Sequence, residues 1–204
     1  LGPISITARA PVVILADTEV ISRSPYRLTA SGCGDLIAKF TAVRDWKLAY
    51  RERGEYYGDY AANLALMSAE VIARNSKVIR ENSVEGIRTV VEALISSGVA
   101  MCIAGSSRPC SGSEHLFAHA LDLIAPDRSL HGERCGVGTI LMAYLHRMNW
   151  RRIKKVLEEI GAPTTADELR VEPEHIVDAV VRARKLRPDR FTICLLYTSP
   201  SPRD

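Results

Sequence analysis

The sequence predicts a mainly α, multi-helix domain preceded by a short strand-bearing segment, and three observations carry that expectation. From Pro25 onward, apolar residues recur at helical spacing with little interruption, as in Ile87, Val90, Val91, Leu94 and Ile95. Before that point a single β-branched run at 11–15 is followed by Ala16, Asp17 and Thr18, which suits a buried strand ending in a turn. The chain has 204 residues, 47% hydrophobic and 25% charged, which fits one full-sized globular domain and a smaller piece.

The strand comes first. With only 4–7 as a neighbour it would leave backbone donors and acceptors unpaired, so it is expected to belong to a sheet whose other strands lie outside this sequence. Helices are then expected over 26–48, 57–81, 83–98, 112–124, 131–148, 150–159 and 174–184. Gly98, Gly105 and Gly161 stand where such helices should stop. Residues 163–168 read as a turn followed by a short capped helix. The final stretch, CLLYTSPSPRD at 194–204, breaks sharply with the amphipathic text before it and reads as a translated sequencing-adapter scar, to be left out of the fold. The expected division is therefore 1–24, 25–193 and 194–204.

Composition removes several function classes. Net charge is +3, the basic residues are dispersed and no aromatics interleave with them, which argues against a nucleic-acid partner. The cluster Arg151, Arg152, Lys154 and Lys155 precedes Glu158 and Glu159 at i, i+4 spacing, the pattern of a salt-bridged solvent face. Five cysteines with no CxxC pair argue against a disulfide framework or a structural zinc knuckle and fit a reducing cytoplasm. The longest uncharged run, 93–107, is shorter than the roughly 20 apolar residues a bilayer requires, so no membrane span is expected. The N-terminus carries no secretory signal pattern. A homo-oligomer is compatible with the sequence.

The residues that suggest chemistry fall in three places. Ser111-Gly112-Ser113-Glu114 has the form of a capping box, opening a helix on which His115 and His119 share a face. A second helix opens at His131 after the loop 125–130, which could bring a third imidazole to the same spot. Asp35 follows Ser31-Gly32-Cys33-Gly34, where the two glycines permit close approach of backbone or ligand. One aspartate and two histidines with an open position suit a catalytic zinc, which makes Asp35, His115 and His131 the expected ligands. Periodicity alone does not select them, because a histidine pair at i, i+4 is more often surface or core.

The stretches SGCGDLIAKFTAVRDWKLA, GSSRPCSGSEHLFAHALD and HGERCGVGTILMAYLH resemble, in order, sn-glycerol-1-phosphate dehydrogenases of the archaeal lipid pathway. The resemblance runs from about Ala10 to ARKLRPDRFTI and extends to the dehydroquinate synthase-like, iron-alcohol-dehydrogenase-like superfamily. It implies that 25–193 is the helical metal- and substrate-binding C-terminal domain of the dehydroquinate synthase-like fold, and that 1–24 is the remnant of an α/β nucleotide-binding domain. It implies zinc on Asp35, His115 and His131, with His119 and Asp35 contacting substrate and His119 acting as proton donor or relay. The implied reaction is reduction of dihydroxyacetone phosphate to sn-glycerol 1-phosphate by NADH or NADPH, for membrane phospholipid synthesis. Arg108, seven residues before His115, matches a phosphate- or carboxylate-binding arginine of dehydroquinate synthase and is the first expected phosphate seat, with Lys39 the second.

Cys33, Cys110 and Cys135 flank the ligand segments but match no ligand position, and are expected to be small buried residues. His146 and His175 are expected to be surface or hydrogen-bonded histidines, and Trp46 and Trp150 packing anchors. The family's glycine-rich pyrophosphate loop has no counterpart in this sequence, so NAD(H) or NADP(H) is expected to be held mainly by a domain outside it. Two alternatives stay open: another metal-dependent polyol dehydrogenase or sugar-phosphate cyclase, and a non-catalytic helical metal-binding module.

Overall fold

The computed structural model describes residues 9–197. Among them the chain forms α1 Thr18–Ser22, α2 Tyr26–Ile37, α3 Lys39–Arg53, α4 Asp59–Arg74, α5 Ser76–Arg80, α6 Val84–Ala104, α7 Ser113–Ile124, α8 His131–Leu145, α9 Trp150–Ile160, α10 Pro173–Leu186 and α11 Cys194–Tyr197, with no strand. The expected strand at 11–15 does not form, and among the described residues no second strand lies beside it to complete the backbone hydrogen bonds. Val12 and Leu15 stand almost fully exposed instead. Its expected neighbour, 4–7, lies outside the described residues.

The helix at 26–48 is two helices meeting at Ala38. The Lys39 ammonium reaches back to the Asp35 carbonyl at 2.6 Å, and the Thr41 hydroxyl donates to the Ala38 carbonyl at 3.0 Å. Side chains competing for backbone carbonyls in this way bend a helix without proline or glycine. The same device divides 57–81, where the Asn75 amide donates to the Val71 carbonyl at 2.8 Å between α4 and α5. The helix expected to stop at Gly98 continues to Ala104 and ends at Gly105, which adopts φ 64°. Gly161 closes α9 in the same left-handed conformation. Residues 165–168 form turns rather than a helix.

α8 is the central element. Residues from Gly132 to Ile140 are all buried, and α2, α7 and α9 pack around it. Leu36, Ile37, Ile72, Ile79, Leu157 and Ile160 build one core where α2, α4, α5 and α9 meet. Leu116, Phe117, Leu121 and Met142 join Ala179 and Ala183 in a second, against α10. Each large apolar side chain so buried stabilises the fold by about 1.5–3 kcal/mol. Trp46 anchors a third cluster, with its indole N–H donated to the Tyr56 carbonyl. Cys194, the first residue of the stretch expected to be a scar, is buried in the second core; residues 198–204 lie outside the described residues.

One helix, α6, is long and apolar enough to cross a membrane by length and composition. The uncharged run fell short only because Glu85, Arg88 and Glu92 interrupt the first half of this 21-residue helix. Its buried face, with Ile87, Val90, Ala93 and Ala100, packs against the fold, mainly α4.

Candidate metal centre

Three helices bring the centre together, and glycine sets how closely two of them cross. A Cβ added to Gly34 on α2 would strike the Gly132 carbonyl of α8, and one added to Gly132 would strike the Ser31 carbonyl. At that contact Asp35, the residue after Gly34, comes beside His131 and Cys135. Gly32, by contrast, faces open space. α7 supplies His115 from its first turn.

The capping box expected at Ser111 is not made. Gly112 is the N-cap, with no side-chain cap bond. The free N–H groups are taken by two buried carboxylates: Ser113 N donates to Asp45 Oδ2 at 2.7 Å, and Gly112 N donates to Glu114 Oε1 at 2.6 Å. Asp45 also receives the Ile193 N–H at 2.7 Å and contacts His146 Nε2 at 3.0 Å, tying α3 to the start of α7, the end of α8 and the C-terminal segment. Sequence reasoning gave Asp45 no structural role; its hydrogen-bond partners are distant in sequence.

His115 Nε2 lies 3.1 Å and His131 Nε2 lies 3.9 Å from Asp35 Oδ1. The structure thus brings the three expected ligands together. They form one cluster with Cys135, each offering a donor atom within 4.8 Å of the others. His119 stands at its edge, half-buried, with its ring centroid 5.4 Å from that of His131 and stacked on it. Behind His115, Nδ1 lies 2.8 Å from Glu114 Oε1, which leaves Nε2 facing the cluster. The other oxygen of Glu114 accepts from Thr41 at 2.7 Å. The sequence marked Glu114 only as a cap, although its position directly before His115 was the available signal.

The electrostatics follow from these contacts. Burial acts to raise Asp35, but the Lys39 ammonium and His115 outweigh it and hold the carboxyl well below its usual range. Burial also opposes a charged His115, yet neighbouring Cys135, Asp35 and Glu114 raise it well above the ordinary imidazole value. His119 is pushed down to about 4, first by burial and then by His131 and His115. Among the thiols, burial pushes Cys33 and Cys194 up to about 12. Cys135 moves down despite complete burial, because His115 and His131 oppose the desolvation. A dense set of acidic, imidazole and thiol donors around one point, with a lysine balancing the aspartate, fits a divalent cation such as zinc.

Both residues expected to seat a phosphate pair with carboxylates of the chain. Arg108 is buried; its Nε donates to Glu55 Oε1 at 2.6 Å, one Nη pairs with Glu55 Oε2, and the other donates to the Phe191 carbonyl at 2.9 Å. Lys39 Nζ is 2.6 Å from Asp35 Oδ2 and buried beneath it, so it serves the aspartate instead of presenting an open cation.

No protein-family model matches the chain. Among curated proteins it is 56% identical over 189 residues to a glycerol-1-phosphate dehydrogenase of Thermococcus sibiricus, covering 93% of this chain and 54% of that protein. It is 58% identical over 189 residues to the protein of the same name in Pyrococcus furiosus, covering 93% and 55%. For Methanosarcina acetivorans the figures are 56% over 197 residues, 97% and 55%. NAD(P)+ forms part of all three names. The chain spans about half the length of the curated relatives it matches. Among solved structures, a probable glycerol dehydrogenase from Sinorhizobium meliloti superposes with TM-score 0.64 at 16% identity, over 91% of this chain and 54% of that one. A sulfoacetaldehyde reductase from Bifidobacterium kashiwanohense, in complex with NAD+, superposes with TM-score 0.63 at 18% identity, over the same shares. These two likenesses show the fold.

Proposed function

We propose, from the premise that this chain belongs to the glycerol-1-phosphate dehydrogenase family along the 93% of its length that aligns with Thermococcus and Pyrococcus members, that it forms the metal- and substrate-binding half of an NAD(P)-dependent oxidoreductase. The reaction we assign is reduction of dihydroxyacetone phosphate to sn-glycerol 1-phosphate, supplying the glycerol backbone of membrane phospholipids. The convergence of Asp35, His115 and His131 from three helices, within a sequence this similar to those relatives, carries the reading.

In it, Asp35, His115 and His131 hold zinc, which when bound acts as a Lewis acid on the carbonyl that receives hydride. The remaining residues prepare that site. Lys39 keeps Asp35 ionised and turned so that Oδ1 faces the imidazoles. Glu114 fixes the His115 ring, so that no ligand rotation is needed when substrate arrives. His119, at the edge and held neutral by its low pKa, offers one nitrogen to a substrate hydroxyl while the other exchanges its proton with solvent. It relays a proton rather than storing one. The nicotinamide would be held mainly outside this chain.

The test is to express the longest reading frame containing these residues and assay it with NADH and NADPH against dihydroxyacetone phosphate, and with NAD+ and NADP+ against glycerol. Turnover of dihydroxyacetone phosphate, abolished by His115→Ala, supports the assignment. Oxidation of glycerol without any reduction of dihydroxyacetone phosphate would reject it.

A further inference from the structure

Three donors account for the expected metal set, and a fourth group faces the same point. Cys135 lies one turn after His131 on α8, is fully buried, and shares an apolar cluster with the small residues Ala38 and Ala118. Its sulfur is turned to the imidazoles, 3.4 Å from His131 Nε2 and within 4.8 Å of the donor atoms of Asp35 and His115. A tetrahedral shell with bonds of about 2.0 Å to nitrogen or oxygen and about 2.3 Å to sulfur sets neighbouring donors roughly 3.3–3.6 Å apart. The sulfur spacing falls in that interval, and the two Asp35 spacings, 3.1 Å and 3.9 Å, straddle it. His131 and Cys135 are four residues apart on one helix, so a single rigid face presents both.

We infer that Cys135 Sγ is a fourth donor to the ion held by Asp35, His115 and His131. This rests on the metal reading above and deepens it. A thiolate in the set favours zinc or cobalt over magnesium or manganese, because the harder ions gain little from sulfur.

Cobalt(II) is the probe, since its spectrum distinguishes sulfur from nitrogen and oxygen donors. The full chain is titrated with cobalt and followed through the visible ligand-field bands and the near-ultraviolet thiolate-to-cobalt band, with X-ray absorption at the cobalt edge. The expected result is a thiolate band and one sulfur scatterer in the native chain. Cys135→Ser should keep the ligand-field bands and lose the thiolate band, with cobalt affinity falling by more than the roughly 10–100-fold that changes outside the donor shell cost. Cobalt bound through nitrogen and oxygen only in the native chain overturns the inference and leaves the three-donor centre standing. A thiolate band that survives in Cys135→Ser also overturns it. No cobalt bound by the native chain overturns the metal reading and this inference together. The native spectrum decides the matter even if the serine variant fails to fold.

Discussion

At the scale of single residues, the centre depends on groups that touch no ion. Glu114 holds His115 through Nδ1 while accepting from Gly112 N and Thr41, so its carboxylate couples the ligand ring to the first turn of α7. Glu114→Gln should weaken zinc binding by about 10–100-fold, measured by competition with a chromophoric chelator, with little change in far-ultraviolet circular dichroism. An unchanged affinity would mean that packing alone orients the ring. Arg108 has the opposite profile: Arg108→Ala removes the Glu55 pair and the bond to Phe191, and should cost about 2 kcal/mol in urea denaturation while leaving zinc affinity intact. That Asp35, His115 and His131 come together was legible from residue type, helix openings and family resemblance. Cys135 was expected to be a small buried residue and is one, but a single sequence does not show that its sulfur faces His131. Glu55 lies 53 positions from Arg108, and no local pattern links them.

At the scale of elements, the helices were legible from apolar spacing, and their breaks were not. Ala38 and Asn75 divide two expected helices through bonds from Lys39, Thr41 and Asn75 side chains to backbone carbonyls, and neither break carries a glycine or proline to mark it. Gly98, conversely, lies in open space within α6 and terminates nothing. The glycines of the α2–α8 crossing give a paired prediction. Gly132→Ala drives a Cβ into the Ser31 carbonyl and should lower both the melting temperature and zinc affinity. Gly32→Ala, in the same region but facing open space, should instead raise stability by roughly 0.5–1 kcal/mol, because alanine loses less backbone entropy in a helix. Equal effects in thermal melts would contradict the crossing. Further along, the turn before α10 depends on Glu168, whose carboxyl is held below its ordinary value first by the Thr164 backbone N–H and also by the Thr164 and Thr165 hydroxyls. A depressed acid contributes stability above its unfolded pKa, here near 4.5, and loses that contribution as pH falls through the lower folded value. Glu168→Gln should therefore reduce stability at neutral pH and flatten its decline below about pH 4.5, as read from urea midpoints across pH; parallel profiles would exclude the role.

At the scale of the molecule, the fold is a set of helices around α8, which meets α2 on one side and α7 on another and so positions Asp35 and His115 against its own His131. The segment 11–15 shows the limit of sequence pattern: a β-branched run forms a strand only where another strand accepts its hydrogen bonds. The helical part needs no such partner, because α-helices satisfy their backbone internally and bury their apolar stripes on one another. Equilibrium dialysis against zinc, followed by elemental analysis, decides whether these three distant side chains close around one divalent ion. One tightly held zinc per chain is expected, falling to background when His115 and His131 are both replaced by alanine in a variant that keeps its helical circular dichroism. A chain that retains no zinc, or a folded double variant that retains as much as the native chain, would contradict it.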